Sequence, residues 1–256
     1  MKQIPNLFTL LNLVFGFLAI LFILQPGEML VTSDEGTWVA QLPEKIWWGA
    51  ICIGIAAIVD FLDGFVARLF KAESEIGKQL DSLADVVSFG VAPGLILYQL
   101  LRISYIGEPD GLDTGIWALL PAVLFPCAGA YRLARFNIDT SQSYGFKGVP
   151  IPAAGLVVAS LPLILLYNYF GLNSLLLNKW VLYAIIVVLS YLMISTLPLM
   201  ALKFKDLSLK NNGPKFLLVA LAILAAVFLQ WLAVPVVFII YVLLSLLTSR
   251  KNSVAA

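Results

Sequence analysis

Residues 216–247 hold 32 consecutive positions without a single charged side chain. As one α-helix they would reach ~48 Å at ~1.5 Å per residue, against a hydrocarbon core of ~30 Å. Six more apolar stretches precede this one, at residues 5–24, 45–70, 77–101, 115–136, 149–169 and 180–202. A membrane span needs ~20 apolar residues, and each stretch is about that long. The composition agrees. Of 256 residues, 61% are hydrophobic and 12% charged, about half the usual charged share of ~25%. The mean hydropathy is +0.96. A soluble globular domain, a disordered chain and a secreted disulfide scaffold are all excluded. The expected fold is an all-α integral membrane protein.

The last stretch is too long for one span, so it is expected to break near residues 231–235. That gives about eight transmembrane helices. Charge placement supports this count. With the N-terminus in the cytoplasm, eight spans put 13 of the 16 Lys and Arg on the inner side. Only Lys45, Arg102 and Lys179 fall outside, while the outer loops are acidic (Glu28, Asp34, Glu35 and Glu44; Glu108, Asp110 and Asp113). This is the positive-inside bias, with both termini cytoplasmic. Seven spans would put Arg250 and Lys251 outside. The stretch at 5–24 is long for a signal peptide and lacks a small-residue cleavage site, so it is expected to be retained. No internal repeat or linker is visible, and residues 1–256 are read as a single membrane-embedded domain.

Some chemistry is absent. There is no His, which removes His bases, nucleophiles and metal ligands. The two Cys, Cys52 and Cys127, lie in apolar stretches and are expected to be buried apolar thiols. The net charge of +1 gives no pull toward nucleic acid.

Four carboxylates stand out inside the second and third spans: Asp60, Asp63, Asp81 and Asp85. An Asp at the centre of a span costs about 2.5–3.5 kcal/mol, so four of them need compensation. At 100° per residue, Asp60, Asp63, Gly64 and Ala67 fall within roughly 100° of one another on their helix. Gly77, Asp81, Asp85 and Ser88 share a stripe on the next. A short connection, 71–76, makes the two helices antiparallel neighbours, with their acidic stripes facing each other. The nearby cations Arg68, Lys71 and Lys78 are fewer than the acids. Two divalent cations would balance them, and hard oxygen ligands suit Mg²⁺, Mn²⁺ or Ca²⁺. Paired ions bridged by carboxylates are a device for phosphoryl-type chemistry. Small residues on the stripe leave room for a bulky ligand, and also let helices approach closely. Buried ion pairs are the plainer alternative for the acids. A cation-coupled transporter is a further one, although a transport path would place acids nearer the midplane.

The string Asp60-x-x-Asp63-Gly64-x-x-Ala67-Arg68, followed after eight residues by Gly77-x-x-x-Asp81-x-x-x-Asp85, resembles the signature of the CDP-alcohol phosphatidyltransferase family. All eight positions are filled. Other segments resemble the family's serine-using members. They are Ile4-Pro5-Asn6-Leu7-Phe8-Thr9-Leu10-Leu11-Asn12-Leu13, the run Asp81-Ser82-Leu83-Ala84-Asp85 through Val86-Val87-Ser88-Phe89-Gly90-Val91-Ala92-Pro93, Arg132-Leu133-Ala134-Arg135-Phe136-Asn137, and Phe146-Lys147-Gly148-Val149-Pro150-Ile151-Pro152. Members that make phosphatidylglycerol phosphate typically carry Pro where this chain has Ser82, and Lys where it has Val86.

The resemblance implies a reaction: CDP-diacylglycerol plus L-serine gives phosphatidylserine and CMP, at the inner face of the cell membrane. It implies Asp60, Asp63 and Asp81 as ligands of two divalent cations, Mg²⁺ or Mn²⁺, with Asp85 as ligand or general base. Gly64, Ala67, Arg68 and Gly77 are implied on the cytidine-diphosphate side, and a homodimer is implied by family likeness. Glycerol 3-phosphate, inositol or an ether lipid remain alternative substrates. With no His, a phosphatidyl-histidine intermediate is impossible, and direct displacement is expected.

Arg132, Arg135 and Lys147 are secondary candidates for the lipid phosphate or the serine carboxylate, where Arg offers a bidentate match. Ordinary positive-inside anchoring is the alternative. Ser88 is a candidate contact to serine, or a hydroxyl bonded to its own backbone. Asn6, Thr9 and Asn12 are polar positions of the first span, read as helix-joining residues. The Lys203–Lys215 cluster is read as an orientation or anionic-lipid patch.

Overall fold

The computed structural model describes residues 4–33, 36–70, 74–106, 108, 111–138, 146–200 and 209–254. Lys2, Asp34, Glu35, Lys71, Asp110, Lys203 and Lys205, used above for orientation or charge balance, lie outside the described residues. The chain is helical almost throughout. In order, α1 is Ile4–Leu24, a hairpin of β1 (Pro26–Ser33) and β2 (Gly36–Pro43) follows, then α2 (Ile46–Leu69) and α3 (Glu75–Asp85). A π-helical turn, Val86–Val91, joins α3 to α4 (Ala92–Ile106). Next come α5 (Ile116–Leu119), a 3₁₀ turn and α6 (Leu124–Ile138). Strand β3 (Phe146–Lys147) leads into α7 (Ile151–Tyr167), α8 (Asn173–Leu176) and α9 (Lys179–Ile194). The described residues end with β4 (Pro198–Leu199), α10 (Leu209–Leu229) and α11 (Ala233–Val254).

Five helical stretches among the described residues are long and apolar enough to cross a membrane: Pro5–Leu24, Ile46–Leu69, Glu75–Ile106, Ile116–Ile138 and Asn212–Thr248. Helices α7 and α9 are apolar but shorter. The chain is an integral membrane protein. The stretch 216–247 breaks at a 3₁₀ turn, Gln230–Leu232, where Gln230 has φ 51°. The break overlaps the start of the Trp231–Pro235 segment singled out in the sequence. The hairpin β1–β2 is antiparallel, and so is the short pair β3–β4, which brings together segments on either side of α7–α9 and buries Leu199.

Apolar side chains face two ways. Phe89, Phe125, Ile96, Leu97, Leu100 and Leu101 are fully buried between helices. Trp117, Val227 and Phe228 stand outward, which in water would be an error and in acyl chains costs nothing. Cys52 is buried as expected, whereas Cys127 is exposed on α6. An outward face of a span is apolar surroundings too, so its sequence context looked the same.

Helix α1 is the organising strut: it packs along α2 and also touches α3, the π turn and α4. Buried polar side chains lock these contacts. Gln99 Nε2 donates to Ile23 O at 3.1 Å, tying α4 to the far end of α1. Gly16 lets α1 lie against the π turn, since a Cβ there would come within 2.9 Å of Ser88 Cα. On the end of the bundle opposite the signature, Tyr183 donates to Ala118 O at 2.7 Å and receives Tyr105 at 2.8 Å. Lys179 pairs with Glu108 beside them at 2.6 Å.

Candidate active site

The signature residues fall on the last turns of α2 and along α3. Ser74 caps α3, accepting from Gly77 N at 3.0 Å, and so starts the helix that carries Asp81 and Asp85. Those two aspartates are four positions apart, which places them one turn apart on one face. Asp60 meets them from α2. The three offer carboxylate oxygens that all lie within 4.8 Å of one another.

Asp63 lies beside them, outside this group of three. It is buried, and Thr9 Oγ1 of α1 donates to its Oδ2. The structure therefore divides the four acids into a group of three and a neighbour held by α1. Among the described residues none of the four forms a salt bridge; the ion pair formed is Lys179–Glu108, on other elements. The Arg132 charge acts on Asp85 and that of Arg68 on Asp63, neither within salt-bridge distance. Oxygen-only donors this close together, outnumbering the cations near them, have the chemistry of a hard divalent-cation site.

Beside the acids lies an open cavity of about 470 Å³. Six signature residues line it: Asp63, Gly64, Ala67, Arg68, Gly77 and Asp81. Gly64, Ala67 and Gly77 among them make the room. A Cβ on Gly64 would meet only the Arg68 guanidinium, at 3.4 Å, so that glycine faces space. Gly77 is different: a Cβ there would lie 3.0 Å from both Asn6 Oδ1 and Ser74 Oγ, so it permits α1 to close the cavity wall.

The secondary candidates divide. Arg132 is buried on α6, stacked over the Phe136 ring at 5.4 Å, and interacts electrostatically with Asp85. Its Nε has no hydrogen-bond partner. Arg135 is not aimed at the acids: Nη1 donates to Ile194 O at 2.8 Å and Nη2 to Ser195 O at 2.9 Å. Ser88 is fully buried and donates to Asn12 O at 3.1 Å, so it touches α1 rather than the cavity. Lys147 is described only in its backbone, paired with Pro198.

Residues that the sequence marked as mere helix joiners turn out to touch the acids. Thr9 reaches Asp63, and Asn12 Nδ2 lies 3.5 Å from Asp85 Oδ1. Their spacing of three along α1 was the available signal. Asn137, in the segment after Arg135, donates to Ser82 Oγ at 2.9 Å and accepts from Lys78 Nζ at 3.3 Å through its backbone carbonyl. The end of α6 is thereby fastened to α3.

Comparison with known proteins agrees with this geometry. The CDP-alcohol phosphatidyltransferase family model matches residues 2–191. A Helicobacter pylori protein called CDP-diacylglycerol–serine O-phosphatidyltransferase is 38% identical over 156 residues, 60% of this chain and 54% of that protein. A Bacillus subtilis protein of the same name is 32% identical over 186 residues, 70% of this chain and 89% of that protein. A Methanocaldococcus jannaschii protein, again of that name, is 40% identical over 124 residues, 48% of this chain and 54% of its own length. The chain thus spans about half the length of two of these three relatives. A complete signature, three converging carboxylates beside a cavity, and a match over most of the sequence lead to one conclusion: the chain belongs to the CDP-alcohol phosphatidyltransferase family.

Proposed function

We propose that this protein transfers a phosphatidyl group from CDP-diacylglycerol to L-serine, releasing CMP and forming phosphatidylserine. The observation that carries the reading is the convergence of Asp60, Asp81 and Asp85 beside a cavity lined by the rest of the signature. The names of the relatives from Helicobacter, Bacillus and Methanocaldococcus support serine as the acceptor.

Asp60, Asp63, Asp81 and Asp85 would hold two divalent cations, Mg²⁺ or Mn²⁺. When bound, these supply the positive charge that offsets the acids and polarises the pyrophosphate. Gly64, Ala67 and Gly77 keep side chains out of the space that the cytidine diphosphate needs. Arg68, on the cavity wall, offers a guanidinium to its phosphates. Asp85 accepts the proton of the serine hydroxyl, which is a poor nucleophile until it is removed. The serine oxygen then bonds to the lipid phosphorus. The bond from phosphorus to the bridging oxygen breaks, and CMP leaves with that electron pair. Arg132, buried near Asp85 with an unpartnered Nε, serves the serine carboxylate or the lipid phosphate. Arg135 and Lys147 complete this proposed set, with two of the Arg135 donors already engaged by carbonyls. Ser88 acts at one remove, through Asn12.

The whole chain is read as one membrane domain of eight spans, with both termini cytoplasmic and the site facing the cytoplasm, where serine is. A homodimer in the cell membrane completes the reading. The deciding experiment is an acceptor screen with radiolabelled CDP-diacylglycerol, purified protein and Mn²⁺ or Mg²⁺. Serine is expected to support CMP release and label the product lipid. Release with glycerol 3-phosphate or inositol but not serine would reassign the acceptor, and no release with any alcohol would end the proposal.

A further inference from the structure

The polar residues of α1 form one stripe. Asn6, Thr9, Asn12 and Gly16 are spaced by three, three and four, which places them within a sector of roughly 120° on a helix. Each meets a different part of the signature region. Asn6 closes on Gly77, Thr9 on Asp63, Asn12 on Asp85, and Gly16 on Ser88. We propose that Thr9 and Asn12 are positioning residues that set two carboxylates of the site, Asp63 beside the group of three and Asp85 within it. The inference rests on the reading of those aspartates as cation ligands and base.

Thr9 has one hydroxyl proton and two acceptors in reach, Pro5 O at 3.2 Å and the nearer Asp63 Oδ2. A bond to a carboxylate is the shorter and stronger choice, so the proton goes to Asp63. This bond fixes the orientation of Asp63 beside the group of three. Asn12 is gripped at two points. Its backbone carbonyl accepts from Ser88, one turn beyond Asp85 on the same continuous helix, and its side-chain amide lies 3.5 Å from Asp85 Oδ1. Hydrogen bonds of this kind are commonly long before substrate is bound and tighten afterwards. An Asn that merely joined helices would have both ends of its amide satisfied. Here Asn12 is fully buried, and its Oδ1 has no partner. Its donor end is what the site uses.

The test uses the full-length protein in detergent micelles, with Thr9→Val, Thr9→Ser, Asn12→Asp and Asn12→Ala. Mn²⁺ binding is titrated by electron paramagnetic resonance, without lipid or acceptor. CMP release is then measured with whichever alcohol the wild-type protein turns over, alongside Tm. Outer contacts to metal ligands typically matter by 10–100-fold, so Thr9→Val is expected to weaken Mn²⁺ binding by about that factor, and Thr9→Ser to restore it. Both Asn12 variants are expected to lower kcat by ~10–100-fold with KM for the CDP-lipid unchanged. Asn12→Asp keeps the shape of the side chain but sets a second carboxylate against Asp85, so Asn12→Ala, which removes the donor without adding charge, is read beside it. Wild-type Mn²⁺ binding in Thr9→Val, or wild-type kcat in Asn12→Asp, overturns the proposal. So would losses that track Tm alone in all four variants. A wild-type protein inactive on serine would count against the acceptor assignment, while the Mn²⁺ titration would still decide the role of Thr9.

Discussion

Arg135 on α6 grips the end of α9, donating to the carbonyl of Ile194 at 2.8 Å and to that of Ser195 at 2.9 Å. The last carbonyls of a helix have no partner within it, and a guanidinium fork from a neighbouring helix satisfies two at once. Hydrogen bonds to charged groups contribute about 1.5–3 kcal/mol each at most. Arg135→Ala is therefore expected to lower stability by ~1–3 kcal/mol, read as a fall in Tm in detergent micelles. An unaltered Tm would show that the fork is incidental.

Asp85 is assigned the proton of the attacking hydroxyl. Asp85→Asn keeps size and shape but cannot take a proton. General-base catalysis is worth roughly 10²–10⁴-fold, and turnover should fall by about that much while CDP-lipid still binds. Calorimetric binding alongside CMP release separates the two, and undiminished turnover would remove Asp85 from this role.

The proposed cation site at Asp60, Asp63, Asp81 and Asp85 makes activity depend on divalent cations. Chelation with EDTA should abolish CMP release, and added Mg²⁺ or Mn²⁺ should bring it back. Asp60→Asn and Asp81→Asn should each shift the metal concentration needed for half-maximal activity upward. Full activity in chelator would contradict the cation site.

The chain contains no His, so no phosphatidyl-histidine can form. One direct displacement inverts configuration at phosphorus. A CDP-lipid chiral at its reacting phosphorus should give a product of inverted configuration, and net retention would reveal a covalent intermediate instead.

Gly16 has no room for a side chain, because a Cβ would sit 2.9 Å from Ser88 Cα. Overpacking of this kind costs about 1–3 kcal/mol. Gly16→Ala should depress Tm by an amount corresponding to that range, and should also push α1 away from Asp85, lowering kcat. A variant as stable and active as wild type would mean that α1 and the π turn can part without consequence.

Much of this protein was legible in its residues. The charge-free stretches announce membrane helices because no other surroundings accept them. The acids at 60, 63, 81 and 85 announce a site because their periodicity places them on facing stripes. The break in residues 216–247 followed from length alone, and Gln230 supplies it. Other features were hidden. The second Arg of the α6 pair looks identical to the first as a letter, yet Arg132 lies near Asp85 and Arg135 is spent on α9. Cys127 reads like Cys52, but one faces outward.

The amino-acid sequence determined the class of fold and singled out the four acids, since hydropathy and helical periodicity are local properties. The tertiary structure alone decided the partition of the four carboxylates. Asp63 is drawn to Thr9, more than fifty residues away in the chain, and Asp85 lies opposite Asn12, more than seventy away. No local pattern encodes such distant pairings. The π turn at Val86–Val91 belongs with them: it shifts the helical register just after Asp85, and its packing against Gly16 and Asn12 is visible only once the helices are assembled.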